Sequence, residues 1–509
     1  NGESAAWNRF GFSVSLFGDT ALIGAPYDDT PGGGSAGSAY VFTRSGGVWS
    51  QEALLLAADG SPDDRFGYSV SISGDSALIG SDGDDTPAGD YFGSAYVFRR
   101  TGTNWSQEAK LASDDAAAGD VFGVSVSLDG DTGLVGAYGD PIGGSAYVFT
   151  RSGSNWLQQA KLTADDTAEG DEFGICVALS GETALIGADG VDIGESGFDA
   201  GAAYVFVRSG TNWSQQAKLV ADDAVGWERF GSSLSLSGDT GLIGPYVFAR
   251  SGTNWVQQAK LQLQNGATVG LGGCVAGDIA LVSGYGDDTL EWFTGSVHVF
   301  ARSGTNWSFL TRIISPGTED NAFGCSVSLS GDTVLVGACD ANGLDSTGGI
   351  ADYQGVAYVY RLRIDTDGDG ASDIWETAHD FDPGNPADLG TLDTDADGDL
   401  DFLEIFQGTD RYIGGSRFGL LLPAPVVPGQ FNTCYRRRIP DPGVDRRMKW
   451  STDLIHWLAS GKSYSGVTVT LNESVVSSGT DYEIIGVVPA ITGNKPRALF
   501  LRLELSPSQ

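Results

Sequence analysis

The stretch FGFSVSLFGDTALIGA, Phe10 to Ala25, decides the fold because it returns. Versions of it begin at Phe66, Phe122, Phe173, Phe230 and Phe323, and a degraded version, VGLGGCVAGDIALVSG, begins at Val269. The seven copies lie 39 to 57 residues apart, a spacing typical of small units that bury their apolar faces only against neighbours of the same kind. Within the stretch, Ser13, Val14, Ser15 and Leu16 alternate small polar with apolar side chains, the period of a strand. Gly18-Asp19 reads as a two-residue hairpin turn in which glycine supplies the positive φ. Ala21, Leu22 and Ile23 form a short apolar run, which fits a strand covered on both faces.

Outward from this hairpin, each copy adds an aromatic strand of the AYVF type, a Ser-Gly or Thr-Gly turn, and a strand that opens on Trp. The last alternates: Trp105, Gln107, Ala109 and Leu111 fall on one side, Ser106, Glu108 and Lys110 on the other, which predicts an outermost, half-solvated strand. Four strands repeated seven times predict an all-β chain folded as a seven-bladed propeller, since radial closure disposes of the open edges that stacked hairpins would leave. The paired Phe10-Gly11 and Ile23-Gly24-Ala25-Pro26 resemble the FG-GAP repeat of integrin α-subunit propellers, over about residues 8–364. Many members of that family carry an aspartate-rich calcium loop between strands one and two. Here SGDT or a near variant stands at that place, so the resemblance implies no calcium in the blades.

The seventh copy stops short. VAYVYRLRIDTDGDG, Val356 to Gly370, passes from the aromatic strand into aspartates with no Trp strand. The segment before Phe10 matches a loop rather than that strand, so blade seven is expected to have three strands. Its edge, with Tyr358 and Tyr360, is then a candidate to accept a strand from another chain. The other reading is that the strand is absent and the gap tolerated. Blade five lacks the loop between strands two and three (LIGPYVF), which notches one face.

In such a blade the connections alternate between faces. One face carries tight turns and a circle of arginines (Arg44, Arg100, Arg151, Arg208, Arg250 and Arg302), the other the long acidic loops. Loops on a rigid scaffold commonly carry function. Trp227, Tyr285, Trp292 and Phe293 are the candidates for stacking on sugar rings, with carboxylates taking hydroxyl hydrogen bonds or bridging a cation. A solvated rim that confers solubility is the alternative reading.

The aspartate run repeats a second pattern. Asp365, Asp367, Asp369, Asp373 and Glu376 occupy positions 1, 3, 5, 9 and 12 of one loop, with Gly370 at 6 and the Ala371 carbonyl at 7. Asp393, Asp395, Asp397, Asp401 and Glu404 repeat this with Gly398 and the Asp399 carbonyl. Hard oxygen donors in this order, with glycine at the sharp turn, are the ligand set of a 12-residue calcium loop. Two Ca2+ ions are therefore expected, as a clamp between the propeller and the C-terminal domain. No entering helix precedes either loop, only short exiting helices (SDIWETAH and DFLEIFQG) are expected, and the pair resembles the dockerin-like and thrombospondin-type-3-like calcium repeats of secreted bacterial proteins.

The chain divides on this reading into a propeller (1–364), paired EF-hand-like calcium loops (365–410) and a small basic domain (411–509). Val467, Val469 and Leu471 alternate, as do Leu501, Leu503 and Leu505, so the last domain is expected to be a small β-sandwich. KWSTDLIHW within it resembles small C-terminal domains of secreted bacterial proteins. Residues 411–509 carry 12 Lys/Arg against 7 Asp/Glu, while the whole chain has a net charge of −37. Arg436, Arg437, Arg438, Arg446 and Arg447 form a basic cluster, read either as a solvated turn or as a plug for the acidic face of a neighbouring propeller.

The chain's 75 glycines and single methionine favour turns and short strands over helices. Its acidity argues against nucleic acid as a partner, and no stretch approaches the roughly 20 apolar residues of a membrane span. The five cysteines are odd in number and show no metal spacing. The chain begins at Asn1 rather than Met, from which a removed signal peptide or a trimmed start is expected. Three scattered histidines, and no nucleophile elbow, zinc signature or phosphate loop, argue against an enzyme. The expected function is a non-enzymatic, extracellular adhesive or structural protein, stabilised by calcium, whose partners are other copies of itself, another extracellular protein or a glycan. Self-assembly into fibres or a surface layer belongs to this reading. A carbohydrate-binding surface protein and a polysaccharide lyase or hydrolase are the alternatives.

Overall fold

The computed structural model describes residues 8–362, apart from 86–88, 195–196, 265–266, 286–294, 316–321, 342, 345–349 and 352, and the backbone of eight strands between 421 and 507. Both calcium loops lie outside the described residues, as do Trp292 and Phe293. The chain falls into two compact units, Asn1–Leu362 and Arg363–Gln509.

The first unit is a propeller of seven antiparallel sheets, and among the described residues it contains no helix. Among the described residues, six of the propeller's sheets have four strands in sequence order and the seventh has three, Phe323–Ser330, Thr333–Ala338 and Val356–Arg361. The innermost strands begin with Ser13–Phe17 and Ser69–Ser73, touch in cyclic succession, and the last of them, Phe323–Ser330, meets the first. Strand two is buried throughout in every blade but the sixth, from Thr20–Ala25 to Thr333–Ala338, as its unbroken apolar run requires.

Phe-Gly and Ile-Gly-Ala are the two halves of one joint. Phe66 packs edge-on against Tyr96 and Phe98 of its own blade, with ring centroids 5.4 and 5.9 Å away. Gly67, in the left-handed region at φ 92°, aims its carbonyl back at the preceding blade, where Ser13 Oγ donates to it at 2.8 Å. Gly24 faces the same carbonyl, and a Cβ there would overlap it. Ring closure uses the same joint: Ser326 Oγ donates to Gly11 O at 2.8 Å, and Gly337 stands where Gly24 stands elsewhere. The wheel thus closes through this joint even though its seventh sheet has three strands.

The serines of strand one form a second joint. Ser15 Oγ accepts from Ile72 N at 3.1 Å, Ser71 from Leu128 N at 2.9 Å, Ser127 from Leu179 N at 3.0 Å, and Ser328 from Leu16 N at 3.0 Å. Their alternation with apolar residues therefore serves the neighbouring blade. The arginine circle does likewise. Arg208, Arg250, Arg302 and Arg44 donate through Nη1 to Thr132, Thr183, Thr240 and Thr333 of the blade before, at 3.1, 3.0, 2.9 and 2.9 Å.

Strand four departs from simple alternation. In blade two the register shifts between Val97 and Phe98, which pair with Ala109 and Gln107, so Glu108 is an extra residue in a β-bulge. A bulge re-aims a side chain, and Glu108 turns to accept from Trp156 Nε1 at 3.4 Å and Arg151 Nη2 at 3.2 Å of blade three. Equivalent bonds join Trp105 to Glu52 (2.8 Å), Trp213 to Gln159 (2.9 Å), Trp255 to Gln216 (3.0 Å) and Trp307 to Gln258 (2.8 Å).

In the second unit the described backbone forms a five-stranded and a three-stranded antiparallel sheet. Arg436, Arg437 and Arg438 lie in the strand Thr433–Arg438, and Arg446 and Arg447 in Val444–Ser451, so strands carry the basic cluster rather than a turn. No described helix is long and apolar enough to cross a membrane.

Candidate binding face at the axial mouth

At each of the six intact Phe-Gly pairs, the preceding turn places the residue before Phe in the left-handed region. Arg9, Arg65, Val121, Glu172, Arg229 and Ala322 have φ of 53, 56, 58, 58, 53 and 48°. For a residue with a Cβ this costs roughly 1–2 kcal/mol, and backbone hydrogen bonds offset it: Arg9 N donates to Tyr353 O at 3.1 Å, Arg65 N to Ser35 O at 3.1 Å and Arg229 N to Asp199 O at 3.0 Å. The turn delivers these side chains to the N-terminal ends of the innermost strands, around the mouth of the propeller axis.

Charge and aromatic surface gather there. Arg65 pairs with Asp82 at 3.2 Å, Arg9 with Asp340 across the closing seam at 3.2 Å, and Arg229 with both Asp189 and Glu172 at 3.0 Å. Phe12, next after Gly11, lies 4.9 Å from Tyr68 and 6.2 Å from Tyr27. Arg9 sits 5.4 Å above the Tyr27 ring, and Arg65 is shared between Tyr68 and the half-exposed Tyr91 at 5.6 and 5.5 Å.

The mouth is electrostatically tense. Burial pushes the Asp82 carboxyl up to about 6 despite Arg65, and pushes Tyr68 up to about 12, with the charge of Asp82 adding to it. Asp189 is pushed up to about 7 by burial and then by its hydrogen bond to the neighbouring acid Glu172, with Arg229 opposing. Asp189 is 3% exposed, and its Oδ1 has no hydrogen-bond partner. Partly paired ions beside flat aromatic faces suit a polar ligand with both apolar and hydrogen-bonding surface.

Farther out, much of the loop acidity is neutralised within the blades. Lys110 pairs with Asp59 and Asp84 at 2.7 and 2.6 Å, and Lys161 with Asp115 and Asp140, both at 2.6 Å. Lys218 pairs with Asp166 at 2.5 Å and Lys260 with Asp223 at 2.7 Å. The hydrogen bond from Lys161 holds Asp115 below the usual carboxylate range. In these blades a strand-four lysine fills the place that a bridging cation would take. Among the described residues, no group of three or more His, Cys, Asp or Glu is arranged to hold a metal.

The residues singled out from sequence do not converge. Trp227 stands at the rim, 74% exposed, its backbone N donating at 2.7 Å to the carbonyl of Phe198, itself 57% exposed. Tyr285 ends strand two of blade six. Tyr358 and Tyr360 sit over Phe323, with centroids 5.7 and 6.1 Å away, so the seventh blade's core engages both, and Val359 and Arg361 are the exposed side chains of that strand. Arg9, Arg65, Arg229, Phe12, Tyr27 and Tyr68 were missed. Their signal was available as arginine before Phe-Gly in three copies.

The FG-GAP repeat family matches residues 2–42, 49–98, 105–149, 156–206, 213–254 and 307–360, more than half of the chain. The gap in the match falls on blade six, whose Phe-Gly is degraded. No curated protein is significantly similar to the chain.

Proposed function

Because the chain belongs to the FG-GAP repeat family, we propose that it is a non-enzymatic, extracellular adhesive or structural protein that presents the axial mouth of its propeller to a partner. The observation that carries this reading is the concentration of half-buried aromatic rings and incompletely satisfied ion pairs at one mouth of a closed ring. A rigid scaffold holds such a surface in shape before contact, which lowers the ordering cost of binding. The partner is another copy of this chain, a second extracellular protein or a glycan.

Calcium enters through the donor set of the two aspartate loops. Asp365, Asp367, Asp369, Asp373 and Glu376, and Asp393, Asp395, Asp397, Asp401 and Glu404, each supply hard oxygens for one Ca2+, joined by the carbonyls of Ala371 and Asp399. Bound calcium would compact a segment whose carboxylates otherwise repel one another.

Particle sizing of the full chain with calcium and with a chelator tests the assembly part. Large particles that disperse on chelation are expected, and a monomer under both conditions overturns it. The exposed side chains of Trp227 and Phe198, whose backbones are joined by a hydrogen bond, favour the glycan reading of the partner. A glycan array probed with wild type, Trp227→Ala and Tyr91→Ala checks that reading, and an array with no signal for wild type removes it.

A further inference from the structure

We propose that Cys325 and Cys339 are a built disulfide site that clamps the closing seam of the propeller. The residue after Phe-Gly and the second residue after the joint glycine are neighbours at the mouth of blade two. In blade two they are Tyr68 and Asp82, close enough for the carboxylate charge to hold the phenol proton. The first position holds Phe12, Tyr68, Val124, Ile175 and Ser232 in blades one to five, and the second holds Pro26, Asp82, Tyr138 and Asp189 in blades one to four. Only in blade seven are both cysteine.

Their geometry is that of a pair. Cys325 lies in the bulge of its strand between Phe323 and Ser326, opposite the Gly337–Ala338 step that leads into Cys339. Cys339 N donates to Cys325 Sγ at 3.3 Å, and the Cys325 thiol donates to Gly11 O of blade one at 3.4 Å. Cys339 is buried, and its thiol is pushed upward by its hydrogen bond to Cys325 and by burial, so in the folded protein it is held protonated against the other sulfur. Cys176 and Cys274 have no such partner among the described residues: they occupy strand-one positions of blades four and six.

The step needs an oxidant, and a small-molecule disulfide such as oxidised glutathione supplies it. Cys325, the less buried of the two, attacks first as thiolate, forming a mixed disulfide and releasing one glutathione thiol. Cys339 gives its proton to solvent and attacks Cys325 Sγ, expelling the second glutathione, so that two thiols are oxidised and one disulfide reduced. The bond then fixes the start of the loop that runs from Asp340, paired with Arg9, to Gly355, whose backbone lies against Phe10. Both are contacts to blade one across the seam.

That the bond forms in the protein's own surroundings rests on the extracellular reading; its geometry does not. The test is a thiol count, made after denaturation, on full chain held folded first in reductant and then with oxidised glutathione, with peptide mapping of the product. Wild type is expected to fall from five titratable thiols to three, to yield a linked 325–339 peptide, and to melt a few degrees higher when oxidised. Cys325→Ser and Cys339→Ser are expected to form no internal bond, and because wild type is mapped directly, the result does not depend on either variant folding. Five remaining thiols, or a linkage to another cysteine, overturns the proposal. A bond that forms with glutathione while the pair is reduced in protein from its native source overturns the extracellular placement instead.

Discussion

Replacing Gly337 by alanine asks whether the wheel is closed by the Phe-Gly joint. A Cβ at Gly337 would stand 3.0 Å from the Gly11 carbonyl carbon and closer still to its oxygen and to Ser326 Oγ. The obstacle is backbone, so it yields only if the Phe10-Gly11 turn withdraws from blade seven. Withdrawal breaks Ser326 Oγ to Gly11 O (2.8 Å), Phe10 N to Gln354 O (2.9 Å) and Arg9 N to Tyr353 O (3.1 Å). At about 1 kcal/mol net for each of the three bonds, and with overpacking at about 1–3 kcal/mol, the combined loss comes to roughly 4–6 kcal/mol if none of the bonds re-forms. Gly102→Ala is the control. That residue has φ 66° with nothing within 4 Å of its Cβ, so only the left-handed backbone, about 1–2 kcal/mol, is felt. Gly80→Ala, whose Cβ would meet the Gly123 carbonyl carbon at 2.9 Å, reports the same joint inside the ring. Guanidinium unfolding followed by tryptophan fluorescence and by far-UV circular dichroism gives the three free energies, provided the two probes coincide. Gly337→Ala is expected to match Gly80→Ala and to exceed Gly102→Ala at least twofold. A Gly337→Ala protein as stable as Gly102→Ala would refute closure by this joint.

Trp213→Phe deletes the donor to Gln159 at 2.9 Å while keeping a ring beneath Arg208, and a loss of about 1 kcal/mol is expected by chemical denaturation. Trp49→Phe is expected to cost much less, because Arg44, 5.5 Å over its ring, engages it and no described acceptor meets its indole N–H. Asp189, pushed up to about 7, favours the folded state when protonated, so its contribution is whole below about pH 4 and is lost as pH rises towards 7. Asp189→Asn should remove that part of the decline in a melting series from pH 4 to 8, and an unchanged slope would count against the buried acid pair. Native mass spectrometry should find two calcium ions on wild type and one on either Asp367→Asn or Asp395→Asn; two ions on both variants would contradict the assigned loops.

The blade count and the short seventh blade were legible because a repeat prints its unit many times and its omission stands out. What sequence concealed lay between copies. Alternation along strand four cannot show a bulge, since a bulge adds a residue without changing composition; Glu108 therefore looked like a solvent residue rather than the acceptor of Trp156. The acidic loops looked free because the lysine that neutralises Asp59 lies 51 positions away, on a strand assigned to solvent. The second unit's basic cluster was open to reading as a solvated turn or as a plug, because arginine-rich, proline-flanked sequence carries little strand signal, and its backbone pairs as strands.

A repeat protein also separates framework from function within one chain. Positions that recur in nearly every blade (Phe-Gly, the joint glycine, the ladder serines, the strand-four Trp) are those that hold one blade to the next. If the positions around the mouth served the same end, they would repeat too. They instead run Arg, Arg, Val, Glu, Arg and Ala before Phe, and Phe, Tyr, Val, Ile, Ser and Cys after Gly, over the six copies with an intact Phe-Gly. The joints that hold every blade to the next therefore do not dictate these positions, although Arg9 and Arg229 each reach an acid of the preceding blade, and what fills them breaks the ring's symmetry: aromatic and cationic at blades one and two, acidic at blade four, sulfur at blade seven. An asymmetric mouth on a near-symmetric wheel has a preferred orientation for whatever it meets, a property that identical blades would deny it.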